Sequence, residues 1–575
     1  LNNNTEKYFS EVPRIHQPRS VFDRSFTHKT TMDVNKLYPI FIDEALPSDS
    51  MRMRFQAFGR LVNPLVVPVM DELYFETLWF KSYMIILWNN TAKFFGEREN
   101  PDDTNDYIIP TVNSGENGCA VGSIFDHFGI PVNVPDLDVN SLPLRMYNLV
   151  YNTWLRDQNL ISSVTVPLDD SDDSSNYTLL KSAKMHDLFT SSLPTTQLNG
   201  LPFSDGPVTL SLGTTANVYG DGNGLVLSDG TNYLTQVTDF ASGGLSYSTY
   251  GFGGDNTVNH SLGTAQSGSN IHLADQKVYG VATKSQLPNN MTSGLVADLS
   301  TATGINVNDL RYMIKLQQYR EKLLSGGHRY NEYLMTFFGM ENPNTPYIPE
   351  FLGMTREMID INTVIQTSST DSTSPQGNLT AYGVINTHEM AFSTSFRYHG
   401  YLLGLARIRH NPVYQQGLNK LWSRSTLFDF YNPIFNGLGE QPVTNKEIVA
   451  QGNSVLDANG DKVDDQAFGF NEYGYEYRFY PSLITGQLRS GIAQSLDVYH
   501  LAQYFGTIDS DTGVGTPTLP LLNQSFIEEN IPMDRVLAVN TDENIPQFIM
   551  DFRFDYECAR VMPVRNIPAG LTSGL

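Results

Sequence analysis

The sequence predicts a mainly β protein with a few helices, and three observations carry that prediction. Forty-five Gly and 30 Pro break 575 residues into many short runs, the punctuation of turns between strands. Aromatic residues reach 11%, and several runs alternate apolar and polar side chains with the period of a half-buried strand. Hydrophobic residues at 40% against 17% charged describe a chain able to bury a large core. Length alone suggests about four domains, although large β proteins often exceed that rule.

Residues 1–36 are polar, with positive charge scattered at Arg14, His16, Arg19, Arg24, His28, Lys29 and Lys36. They read as a solvated arm, or as an arm that touches nucleic acid. Met51, Met53, Phe55 and Ala57 alternate with Arg52, Arg54 and Gln56, so residues 51–61 form a strand. Two proline breaks follow, then a second β-rich run up to Phe80. Residues 122–131 end in a Gly-Ile-Pro turn. Tyr147, Val150, Tyr151 and Trp154 recur at helical spacing, which predicts a helix over 142–160 with Ser141 as its cap. The acidic run at 168–175 reads as a surface loop.

Residues 198–300 change character, with much Gly, Ser, Thr and Asn and little charge. Short β candidates at 208–212, 225–227 and 277–281 favour a compact β-rich insertion over a flexible linker. A helix over 306–324 is expected, capped by Asn306 or Asn308, with Val307, Leu310 and Ile314 inward and Gly326-Gly327 as its stop. Residues 366–383 form a polar loop. Residues 391–410 are expected as strand with a bend at Gly400, and Tyr475, Tyr477 and Phe479 alternate as another. The last strand is the cleanest: Phe548, Met550, Phe552, Phe554, Tyr556 and Cys558 line one face. First and last strands pairing with each other would close a barrel. The organisation expected is an arm (1–36), a core (37–197), the insertion (198–300) and the rest of the core (301–575).

A net charge of −24 is the wrong sign for a free nucleic-acid binder, so any such contact needs a local basic patch. The patch candidates are Arg14, Arg19, Arg24 and Lys29 near the start and Arg560 and Arg565 near the end. Two distant cysteines argue against a disulfide scaffold and fit a reducing compartment; Cys558 reads as a small core residue. No apolar run approaches a membrane span. The chain does not open as a signal peptide does, and because it opens at Leu1, a few residues are expected to precede it.

No GxSxG elbow, Walker loop, CxxC pair or second zincin histidine after His388-Glu389 occurs. The acid pairs Asp102-Asp103, Asp172-Asp173 and Glu528-Glu529 sit in turn-like contexts, where solvated charge is the default. Asp457, Asn459 and Asp461 resemble the start of a calcium loop. Gly460 falls too early and Phe468 stands where the bidentate Glu belongs, so an Asx-rich turn is the first reading. No cofactor is expected.

Residues 411–452 combine bulky rings with chain-breaking residues. Tyr414, Trp422, Phe428, Phe430, Tyr431 and Phe435 lie among Pro412, Gly417, Pro433, Gly437, Gly439 and Pro442. Rings on such a path pin a loop into a large surface, either the chain's own core or a neighbouring copy. Tyr414, Trp422, Arg424, Phe428, Tyr431 and Phe435 are the interface candidates.

YQQGLNKLWSR (414–424) followed by LGEQPVTNKEI (438–448) resembles the major capsid protein of microviruses, closest to their gokushovirus branch. LPSDSMRMRFQAFGRL (46–61) with PVMDELYFETLWF (68–80), RDQN (156–159), KMHDLFTSSLP (184–194), VNDLR (307–311), GGHRY (326–330) and QTSSTDSTSPQGNLTAYG (366–383) extend it over most of the chain. Residues 81–87 depart from the family's Pro-containing pattern.

The resemblance implies an eight-stranded viral jelly roll with long inter-strand insertions. It also implies sixty copies assembled into a T=1 shell around circular single-stranded DNA, in a virion built in the cytoplasm of a bacterial host. Expected partners are a small basic DNA-binding protein, an internal scaffolding protein, a minor or pilot protein, and a host surface receptor met by the projecting insertion. No enzyme activity is implied. A glycan-acting enzyme would need a buried carboxylate pair that the sequence does not offer. A β-rich adhesin would share the insertion but leave the flanking blocks unexplained.

Overall fold

The computed structural model describes residues 18–195 and 347–565, except 99, 101, 103–105, 369, 371–374, 436–438 and 539–544; between 196 and 346 it describes separate strands and two helices. The chain divides into two units, Leu1–Thr196 with Leu323–Leu575, and Gln197–Lys322.

The first unit is a sandwich of two antiparallel sheets. Its eight main strands are β1 (Phe26–Met32), β2 (Tyr38–Ala45), β3 (Ser50–Leu61), β4 (Leu73–Tyr83), β5 (Glu350–Met358), β6 (Leu379–Ser395), β7 (Gly400–His410) and β8 (Phe548–Arg560). One sheet runs β1-β8-β3-β6, with Ser20–Asp23 also on β8 and Asp360–Ile365 outside β6; the other runs β5-β4-β7-β2. Chain neighbours mostly sit in opposite sheets, as in the doubled Greek key of a jelly roll.

The sheets pack through rings. Phe55 lies 5.6 Å from Trp79, Phe41 5.5 Å from Phe554, and Phe75 6.1 Å from Phe552, centroid to centroid. On β8 every second residue from Phe548 to Cys558 is buried, as the alternation predicts. The second sheet is covered on its other face too. There Phe80, Leu403 and Leu405 meet Leu144, Tyr147 and Val150 of helix α1 (Leu142–Val150). All eleven residues of β7 are therefore buried, whereas β3 keeps a strict alternation with one open face.

Several expectations need correction. Residues 20–32 are strands on β8, not a solvated arm, because Phe26 stacks on Phe554. The α-helix starting at Leu142 passes at Val150 into a π-helical turn and ends at Leu155, short of residue 160. Asp157 takes the backbone N–H groups of Asn159 and Leu160, a local bond that competes with the helix. Ser141 does not cap that helix: its hydroxyl donates to the Pro110 carbonyl, and Asn140 accepts from Leu142 N–H instead.

Residues 391–410 are a hairpin, not one strand. Gly400 opens β7 because a Cβ there would lie 2.2 Å from the Ser82 carbonyl oxygen. Tyr475–Tyr477 is a 3-10 turn, set by Gly474 at φ +79°. The loop at 366–383 is shorter than expected, since β6 begins at Leu379.

The helix Val307–Gly326 forms where expected, yet Ile314 is 49% exposed and the buried side carries Arg320, Leu323 and Leu324. Asn306 and the side chains of Val307, Asn308 and Leu310 lie outside the described residues.

In the second unit a five-stranded sheet runs Val258–Gly263, Gly244–Gly251, Asn232–Thr235, Leu227–Ser228, Gly280–Val281, and Leu295–Asp298 pairs with Asn217–Gly220. Candidates 225–227 and 277–281 overlap two of these strands; 208–212 lies outside the described residues.

Candidate functional site

The loop after β7 is tied down from below and apolar above. Gly417 passes so close to the neighbouring backbone that a Cβ would meet the Glu447 carbonyl at 1.9 Å. Asn419 caps Lys420–Ser423 by accepting from Leu421 N–H at 2.9 Å. Asp429 accepts the N–H groups of Ser425 and Thr426 at 2.7 and 2.6 Å. Those bonds hold its carboxyl down at about 2.

Arg424 lies 5.1 Å from the Phe430 ring and 4.7 Å from the Tyr477 ring, donating to the Tyr477 hydroxyl at 2.7 Å. Lys420 stands 4.4 Å over Tyr475, whose hydroxyl donates to Glu447 at 2.7 Å. Burial, with Glu447 beside it, raises the Tyr475 phenol far above its ordinary value. Base and walls are fixed.

From this base large apolar groups face outward. Trp422 is 76% exposed, Leu427 82%, Phe428 74%, Ile434 80% and Tyr480 79%. Tyr431 is 40% exposed and Phe435 half-buried. Tyr414 is different: it sits in a third core cluster with Phe189, Phe468 and Phe526, so it packs on its own chain. Sequence reasoning missed Tyr477, because its alternation with Tyr475 and Phe479 read as a strand, and it did not single out Tyr480 or Leu483, which are also exposed. A monomer rarely leaves so many large apolar groups together in water.

The basic candidates divide. Arg24 pairs with Asp43, Lys29 with Asp551 at 2.8 Å, and Arg560 with Asp49 at 3.0 Å. Arg19 donates to the Ser50 hydroxyl, Arg565 is exposed, and Arg14 lies outside the described residues.

At the calcium-like stretch, Asp457 accepts the N–H groups of Asn459 and Asp461, each at 2.9 Å, and the Gln466 amide at 2.7 Å. That is an Asx turn, with its carboxylate taken up by the chain.

Two of the acid pairs are less solvated than expected. Asp172 forms a fully buried ion pair with Arg145 at 2.8 Å. Glu529 is buried against His410 at 2.6 Å, while Glu528 turns away to Lys181. Glu76, buried on β4, meets Arg356, Arg407 and Arg409. Burial alone would raise its carboxyl, but the three guanidinium groups outweigh that and hold it below the ordinary value. Each of these acids serves a structural contact: Asp172, Glu528 and Glu76 in ion pairs, Glu529 against the His410 ring.

A two-sheet β-sandwich whose loop after β7 carries a pinned, exposed apolar surface belongs to the class of structural proteins that work by docking. The comparisons specify which. Residues 10–570 match the family of the phage capsid F protein, so the chain belongs to that family of viral capsid proteins. It is 40% identical to capsid protein VP1 of Bdellovibrio phage phiMH2K, over 98% of this chain and 97% of that one. It is 36% identical to VP1 of Chlamydia phage 1 and 32% to VP1 of Spiroplasma virus 4, each over 97% of both chains. The resemblance to microvirus capsid proteins thus holds end to end, and the role is that of a major capsid protein in the virion. Among the described residues no helix is long and apolar enough to cross a membrane.

Proposed function

We propose that this chain associates in sixty copies into a T=1 icosahedral shell around a circular single-stranded DNA genome. The observation that supports it best is the apolar face of Trp422, Leu427, Phe428 and Ile434 on a loop fixed by Arg424, Asp429 and Tyr475. A second copy is its occupant, with Tyr431 and Phe435 at its edge. The role is structural and not catalytic.

At −24 per chain the shell as a whole repels DNA, so a small basic DNA-binding protein and cations neutralise the genome. An internal scaffolding protein assists assembly in the host cytoplasm, and a minor or pilot protein joins the particle. The insertion at 198–300 projects and contacts a host receptor; its small-residue composition between two matched blocks supports this.

The test is negative-stain electron microscopy with sedimentation of the chain expressed with its phage partners. Uniform closed icosahedral particles are expected. Monomers or trimers alone, with the scaffolding partner present, would refute the reading.

A further inference from the structure

We infer that the open face of β3 binds single-stranded nucleic acid, with Arg52, Arg54 and Arg60 on the phosphates and Phe58 under a base. This rests on the reading of the chain as a shell around single-stranded DNA and gives that DNA an address.

Most arginines of the sandwich are occupied. Arg24, Arg356, Arg407, Arg553 and Arg560 all hold carboxylates. Arg52, Arg54 and Arg60 are exposed, and none has a hydrogen bond or ion pair among the described residues. They stand on one face of one strand, with Phe58, 56% exposed, between them. Alternate side chains of a strand lie about 6.6 Å apart. That is close to the separation of successive phosphates in an extended single strand.

Register shows where the strand would lie. On one side, β8 sets Glu557 opposite Arg52 and Asp555 opposite Arg54, although neither closes an ion pair with its opposite. Asp555 is engaged by Arg553 and Asp551 by Lys29, and Asp23 accepts from Ser25. The depression between β3 and β8, lined by Arg52, Arg54 and Arg553 against Asp23, Asp555 and Glu557, is balanced in charge and offers a phosphate chain no net attraction.

On the other side, β6 sets Met390, His388, Asn386 and Val384 opposite Arg54, Gln56, Phe58 and Arg60. On β6 Glu389 carries a carboxylate beside the bulge, opposite Phe55, and Asp360 lies one strand further out. Met390 and Tyr382 are 53% and 46% exposed. Phosphates on the β3 guanidinium groups would place bases over Phe58 and the β6 side chains. Local charge beside sequence-tolerant stacking surfaces is what single-strand binding requires.

The test is fluorescence anisotropy of a labelled oligo-dT with the full chain, at several salt concentrations. The triple variant Arg52→Ala, Arg54→Ala, Arg60→Ala should bind at least about tenfold more weakly. Its slope of log affinity against log salt should fall by about 2, at about 0.7 per lost phosphate contact. Phe58→Ala should weaken binding without changing the slope, and the three arginines replaced by lysine should keep it. Lys29→Ala, already ion-paired, should leave the slope unchanged.

An unchanged slope in the triple variant would overturn the proposal. So would a loss of self-association with DNA binding intact, which would assign the face to a second copy. Sedimentation of particles reports shell formation separately, so failure of this site and failure of the capsid reading give different results.

Discussion

Single residues decide whether the buried charges hold the fold together. Arg145 is wholly enclosed, donating to Asp172 and to the carbonyls of Leu87, Asp169 and Ser171. Asp172→Ala leaves that guanidinium buried without its counter-charge, which costs about 3–5 kcal/mol. Urea unfolding should show the loss, and a change under about 1 kcal/mol would contradict the pairing. Lys184 adds a pH dependence. Its ammonium stands 4.2 Å from the Phe526 ring, and burial pulls it down to about 8 against the pull of Glu529 and Asp187. An unfolded lysine keeps its proton to about 10.4, so between pH 8 and 10 the unfolded chain binds more proton at this residue, and the contribution of Lys184 to stability rises with pH. Above pH 10 the buried Tyr147, Tyr475 and Tyr556, all raised, reverse the trend. Melting curves of the native chain and of Lys184→Met should converge or cross as pH climbs from 8 to 10. A constant gap across that window would refute it.

At the scale of the element, β8 makes the strongest statement. Phe554 touches Phe26, Phe41, Phe55 and Trp79, drawn from both sheets. Phe554→Ala should cost about 3–5 kcal/mol. Arg553→Ala, one residue away on the open face, should stay within about 0.5 kcal/mol. Thermal unfolding distinguishes them, and similar losses would mean the face assignment is wrong. This strand and β3 were legible because each has one dry and one wet face, so period two is written into the residues. The second sheet was harder to read, since burial on both sides leaves β7 without alternation. Its turn at 396–399 was hidden for another reason: Phe392, Thr394, Phe396 and Tyr398 keep a period of two straight through it, although Phe396 is buried and Tyr398 is exposed. Helix α1 showed its apolar spacing but not its end, because Asp157 stops it through a side-chain bond that periodicity does not record. The aromatic loop announced itself by composition alone. Only the structure separates Tyr414, which turns inward, from Trp422, which turns out. The three free arginines of β3 were visible as a strand face. Their freedom was not, because it depends on which carboxylates the neighbouring strands spend elsewhere.

For the whole molecule, the distinction that matters is between residues that fold the chain and residues that join copies of it. Trp422 and Phe428 are 76% and 74% exposed, so removing them should scarcely move the melting temperature of the monomer. In the shell they would lie at the centre of a contact, where aromatic anchors carry about 2 kcal/mol or more each. Every subunit repeats that loss. The double variant Trp422→Ala, Phe428→Ala should therefore melt as the native chain does yet sediment as small species, with closed particles absent from micrographs. Arg424→Ala should act at one remove: it frees Phe430 and Tyr477, loosens the platform and lowers particle yield, without removing an exposed apolar group. Normal particles from the double variant would place the subunit contact elsewhere. A lowered melting temperature in the isolated chain would instead mean that these rings fold back onto their own chain. Deleting residues 205–290 probes the opposite case. Shells should still close, because the eight strands and the aromatic loop lie outside that stretch, while adsorption to host cells should fall. Adsorption equal to that of native particles would remove the insertion from attachment and leave its contact with the host to some other surface.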